Sequence, residues 1–204
     1  MKKSNLVYVG EMDLNTKIFD FYYELAFRDA TMRKSFKRRE EEKEDYTEFK
    51  ERKDRVKKAA KDIVKNYICL IMSGECGEDT TENTIIAVSK ETSKDGFTFG
   101  NAQKLVNMTA KYFYLVCYNN KKIRKNFRYC HCPMDSRMIH VAIDKYSNKG
   151  TLSVKREMSW SMLELNDENE EDVVPKEYQE FQQIIKEIGD SNQIYQLEVD
   201  YQYW

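Results

Sequence analysis

Residues 97–115 read FTFGNAQKLVNMTAKYFYL. Leu105, Met108, Tyr112 and Leu115 recur three to four positions apart, the spacing of one face of an α-helix. No proline interrupts the run, and its one glycine, Gly100, lies near the start. The spacing predicts a core helix over 101–118, entered from a glycine-bearing turn, SKDGFTFGNAQK.

Similar helical patterns extend to both sides. With 7 glycines and 2 prolines in 204 residues, breakers are too few for a chain of short strands and turns. Upstream, Leu14, Ile18, Phe21 and Leu25 predict a helix from Met12 to about Lys34. Residues 33–62 interleave Glu with Lys and Arg about four apart, as on a solvent-facing charged helix, and DIVKNYICLIM then turns apolar and enters the core. SGECGEDTTEN (73–83) reads as a loop, with Thr80 or Thr81 capping a short helix through NTIIAVSKE. Downstream come a basic loop, NNKKIRKNFR, and a helix through PMDSRMIHVAIDKY. TLSVKREM suits a short strand, NDENEED an acidic loop, and KEYQEFQQIIKEI an amphipathic helix ended by Gly189. The expected class is mainly α with a few short strands, in one domain spanning 1–204.

Charged residues at 34% and hydrophobic ones at 41% exclude a disordered chain. No apolar run reaches the roughly 18–20 residues that span a bilayer. The net charge of −1 announces no nucleic-acid partner, although a local basic face remains compatible with it. Five cysteines without a disulfide framework point to reduced thiols and a cytoplasmic protein.

Both histidines and two of the cysteines fall in YCHCPMDSRMIH, 129–140. Cys130 and Cys132 are closer together than the pairs that usually grip zinc, and no second pair matches, so no metal is expected. Backbone chemistry explains the stretch better. Pro133 suits the approach to a helix, and Asp135 can accept the N–H of Arg137 or Met138, with Ser136 a rival cap. Lys104 is expected in the first turn of its helix, at the end where the dipole and burial both disfavour an ammonium. An ordinary lysine is only roughly 0.1% neutral near neutral pH, so such depression is what a nucleophilic amine requires.

These two segments together resemble the catalytic core of the helix-hairpin-helix DNA glycosylase superfamily. That core runs from a glycine turn to a lysine opening a helix, then through a loop to a proline–x–aspartate opening another. FGNAQKLVNMTAKYFYLV is similar to the hairpin and second helix, and CHCPMDSRMIHVAIDKY to the proline–x–aspartate segment. The compact 8-oxoguanine DNA glycosylases are the most similar branch. The resemblance covers 96–146 as hairpin and catalytic core, and matches Lys104 to the Schiff-base lysine, Asp135 to the catalytic aspartate and Gly100 to the first hairpin glycine. Ala102 stands where the family has a second glycine, and Cys132 where it has an apolar residue.

The resemblance implies excision of an oxidised or otherwise modified base from double-stranded DNA, with AP-lyase activity and no cofactor. Lys121, Lys122, Arg124, Lys125 and Arg128 are then candidates for backbone phosphates. Tyr112, Tyr114, Tyr129 and Trp160 are candidates for stacking on an extruded base, although aromatics at helical spacing more often build core. Lys111, seven residues on and near the same helix face, is the rival to Lys104. Two readings of other classes stand beside this one: a non-catalytic binding protein on a similar helical scaffold, and a hydrolase using His131 or His140 beside a cysteine.

Overall fold

A computed structural model describes all residues except 1–6, 10–11, 15, 33–34, 40–42, 147–151, 169–170 and 204. The protein is mainly helical. A hairpin of β1 (Val7–Val9) and β2 (Met12–Leu14) precedes α1 (Thr16–Ala30), α2 (Tyr46–Ser73), α3 (Thr80–Thr92) and α4 (Phe99–Cys117). Then follow α5 (Lys121–Arg124), α6 (Ser136–Tyr146), a second hairpin of β3 (Asn166–Glu168) and β4 (Glu171–Val173), α7 (Lys176–Asn192) and α8 (Gln196–Gln202). Single 3₁₀ turns lie at Ser93–Asp95, Lys125–Tyr129 and Trp160–Met162. No helix among the described residues is long and apolar enough to cross a membrane.

The helix expected to be core, α4, is the centre of the molecule. Every residue from Phe99 to Lys111 is buried, and α1, α2 and α3 pack around it. A helix enclosed on all sides should be apolar all round. This one carries Asn101, Gln103, Lys104, Asn107, Thr109 and Lys111 inside. Burying such groups is costly unless each is paired, so α4 brings a line of polar contacts into the core. Asn101 shows the pattern: its amide donates to the carbonyls of Ala30 (2.8 Å) and Ser35 (3.1 Å), tying the end of α1 to the start of α4.

The structure corrects the expected face of α1. Ile18 and Phe21 are exposed, and the core takes Phe19, Tyr23, Ala26, Phe27 and Ala30. Both stripes have helical spacing. The buried one stacks Phe19 on Tyr23 and sets Phe19 beside Phe113 of α4, while its alanines let the helices approach.

The charged helix expected over 33–62 starts only at Tyr46. Asp45 caps it, accepting from Thr47 N (2.7 Å) and Glu48 N (2.9 Å), and Glu48 returns a bond to Asp45 N (2.9 Å). Within that polar run Arg52 is buried rather than solvated. It forks onto Glu44 and donates to the carbonyls of Asp95 and Lys37, lying over the Phe36 ring. The Arg52 hydrogen bond holds the Glu44 carboxyl down at about 2.

Three further expectations change. The acidic loop expected at 166–172 instead holds β3 and the start of β4, and the described part of 151–158 forms no strand. Helix α7 runs through Gly189 to Asn192 and ends at Gln193 in a left-handed conformation. The link between α7 and α8 crosses Gly189 so closely that a Cβ there would lie 2.8 Å from the Ile194 carbonyl.

Gly100 is also reassigned. It is the second residue of α4, because Thr98 caps the helix early by accepting from Asn101 N (3.0 Å), and the left-handed turn before it belongs to Gly96. A Cβ on Gly100 would lie 1.8 Å from the Trp160 carbonyl, so this glycine permits the Trp160–Met162 turn to press onto the helix.

Two stability outcomes follow. Gly100→Ala should cost about 3 kcal/mol, because the obstacle is backbone and cannot rotate away. Arg52→Ala should cost about 2–3 kcal/mol by removing the buried guanidinium and leaving the carbonyls of Lys37 and Asp95 without their donor. Chemical denaturation of the two variants checks both values.

Candidate active site

The expected Lys104–Asp135 pair forms. Lys104 lies in the second turn of α4, one turn later than expected because the helix starts early at Phe99. Its Nζ donates to Asp135 Oδ2 at 2.7 Å, with the lysine side chain 8% and the aspartate 25% exposed. Asp135 also caps α6, its Oδ1 accepting from Met138 N at 3.0 Å, one of the two bonds expected for it. Burial pushes this carboxyl upward, but Lys104, the Met138 N–H and Lys111 outweigh it and hold the group below its ordinary value. One side chain therefore starts a helix and faces an amine.

The extended segment before Asp135 is buried from Cys130 to Met134, where no sheet is present to satisfy its backbone. Two side-chain amides take that role. Gln182 of α7 accepts from Cys132 N (3.2 Å) and donates to Cys132 O (2.7 Å). Gln103 of α4 accepts from Met134 N (3.1 Å) and donates to Met134 O (2.8 Å). Pro133 between them has no N–H to satisfy. Asn107 donates to Gln103 Oε1 (3.2 Å) and to the Tyr178 hydroxyl (3.0 Å), which sits 3.0 Å from His131 Nδ1.

A second amine–carboxylate pair lies deeper. Lys111 donates to Asp200 Oδ2, with both side chains almost fully buried. Burial pushes the Asp200 carboxyl up, Lys111 opposes that, and Asp200 Oδ1 has no hydrogen-bond partner. Lys104, Lys111 and Asp135 all line one cleft of about 780 Å³. Trp160 forms part of its wall, with Lys104 Nζ 5.9 Å from the centroid of its ring. Thr98 donates to Ser161 O (2.8 Å) and Gly100 N to Leu163 O (3.0 Å), which fixes that wall to α4.

The other expected site residues are placed elsewhere. The amide of Gly100, expected to meet a DNA phosphate, is engaged by Leu163 within the protein. Lys121, Lys122, Arg124, Lys125 and Arg128 form α5 and a 3₁₀ turn, not a loop, because Ile123 and Phe127 anchor them in the core. They follow the C-terminal end of α4, about 20 Å along the helix from Lys104, and none lines the cleft. Of the aromatic candidates, Tyr112 and Trp160 line the cleft, whereas Tyr114 is core.

The histidine–thiol alternative loses its geometry. His131 is occupied by Tyr178, His140 is exposed, and burial raises the Cys130 and Cys132 thiols well above their ordinary value. Among the described residues no three His, Cys, Asp or Glu side chains converge as a metal set.

Sequence reasoning missed Gln103, Asn107, Tyr178, Gln182 and Asp200. For Gln103 and Asn107 the available signal was the recurrence of amides within a helix expected to be core. No protein-family model, curated protein or solved structure matches the chain.

Burial lowers His131 to about 4. The unfolded chain takes up this proton near 6.5, so between those values it binds more protons than the folded chain. The His131 contribution to stability is thus complete above about pH 6.5, falls by about 3 kcal/mol toward pH 4, and then levels off. Urea unfolding at pH 4–8 should show that loss in the native protein and a flatter profile in His131→Gln.

Proposed function

We propose that the chain is a DNA glycosylase with AP-lyase activity, acting on double-stranded DNA that carries an oxidised or otherwise modified base. One observation carries this reading: Lys104 and Asp135 meet at 2.7 Å on the wall of a cleft of about 780 Å³. Cleft size is consistent with a base extruded from the stack, where its glycosidic bond becomes reachable.

The chemistry follows from the pair. With its ammonium proton lost to solvent, Lys104 attacks the sugar's anomeric carbon as the bond to the base breaks, and the base leaves with that bond's electron pair. Asp135, still a carboxylate, lies where positive charge develops on the sugar and is placed to take the proton that the alkylated nitrogen then sheds. The C1′–O4′ bond then opens as the nitrogen forms an imine with C1′, the ring oxygen taking the proton; loss of a C2′ proton expels the 3′ phosphate, and the strand is nicked. Lys111 lies about 10 Å further along α4, which suits contact with the far edge of a base whose sugar is at Lys104. Trp160 offers a flat apolar wall beside it.

A second reading is favoured by the internal use of the Gly100 amide and the distance of the basic segment from the cleft: a non-catalytic nucleic-acid- or protein-binding protein on a helical scaffold. There the lysine–aspartate pair is an ion pair and a helix cap only.

Borohydride trapping on duplexes carrying 8-oxoguanine, other modified bases or an abasic site separates the readings. A covalent band is expected from the native protein and none from Lys104→Gln. Asp135→Asn should lower the rate by about 10²–10⁴-fold. No band and no released base on any duplex would leave the binding reading.

A further inference from the structure

We infer that Gln103 is a positioning residue, which holds Asp135 in reach of Lys104 by gripping the backbone of the residue before it. Two consecutive residues of α4 engage two consecutive residues of the segment: Gln103 takes Met134 and Lys104 takes Asp135. A single hydrogen bond would let the segment pivot. The paired bonds at 2.8 and 3.1 Å act like one rung of a β-ladder and fix its orientation as well as its distance. Asn107 fixes which way the Gln103 amide faces, because its N–H₂ points at Gln103 Oε1 and would oppose a flipped carboxamide.

The same grip sets the register. If the segment slid by one residue so that Pro133 faced Gln103, one bond of the pair would be lost, because a proline has no N–H to offer. Gln103 therefore pairs fully with Met134 but not with its predecessor, and Asp135 is held beside Lys104. Misplacement of a reacting group by about 1 Å can cost on the order of 10²-fold in rate, so this grip matters to chemistry and not only to folding. Gln182 applies an equivalent grip at Cys132, three residues from Asp135 rather than one, and serves as the internal control.

This inference rests on the glycosylase reading for its kinetic arm, but its geometric arm is independent of it. The experiment compares Gln103→Met with Gln182→Met, and uses Gln103→Asn, whose carboxamide is one methylene shorter, if the first does not fold. Each folded protein is scored for its unfolding midpoint, the carboxyl titration of Asp135 by carbon NMR, and the rate and half-saturation of borohydride trapping on abasic duplex. Changing Gln103 should move the Asp135 titration up toward that of an ordinary aspartate. It should also slow trapping at saturating DNA at least tenfold with half-saturation unchanged. Gln182→Met should lower the midpoint comparably while moving titration and rate far less. A Gln103 variant that loses stability but keeps the native Asp135 titration would overturn the inference. If the native protein traps no duplex, the glycosylase reading fails, and the titration alone still decides whether Gln103 positions the carboxylate.

Discussion

The fold around the cleft depends on a buried stretch of extended chain that no sheet supports. Backbone polar groups buried without partners are expensive, and a lone extended segment in a helical core has none by default. Gln103 and Gln182 supply the missing partners, and each makes the paired bonds of a neighbouring strand. Because they project from α4 and α7, the segment also joins these helices. Asn107, Tyr178 and His131 extend the contact into a polar network through the core.

That network changes the meaning of α4. A central helix built only of leucine and valine would bury more apolar surface and leave its neighbours free to slide. Polar side chains that need particular partners remove that freedom, since a shifted arrangement strands them. Lys104 and Lys111 extend the principle to charge, each held by a carboxylate from a different part of the chain, Asp135 ahead of α6 and Asp200 in α8. The two pairs differ in exposure. Asp135 reaches the cleft and stays below the ordinary carboxylate range, whereas burial drives Asp200 the other way.

Much of this is legible in the residues themselves. The apolar spacing of 97–115 announces α4, the order proline–x–aspartate announces the cap at Asp135, and the spacing after Lys176 announces α7. The pairing of Lys104 with Asp135 came through a resemblance and is met by the geometry. Other features were hidden for physical reasons. Phe21 and Phe19 have equally good helical partners, so periodicity alone does not select the buried face of α1. Arg52 sits in a run of charge that looks solvated until Glu44 and the carbonyls of Lys37 and Asp95 converge on it. Gly100 looks like a turn residue, but Thr98 starts the helix ahead of it. The amide grips join residues far apart in the chain, such as Gln182 and Cys132, and leave no local pattern.

The contact between Gly100 and the Trp160 carbonyl also defines what kind of opening the cleft has. The turn carrying the indole is bonded at Thr98 and Gly100 and rests directly on helix backbone. It is a jamb rather than a door. A flat guest sliding along the indole would meet a surface already in place, and the work of fitting would fall to the guest: turning its edge inward and shedding its water.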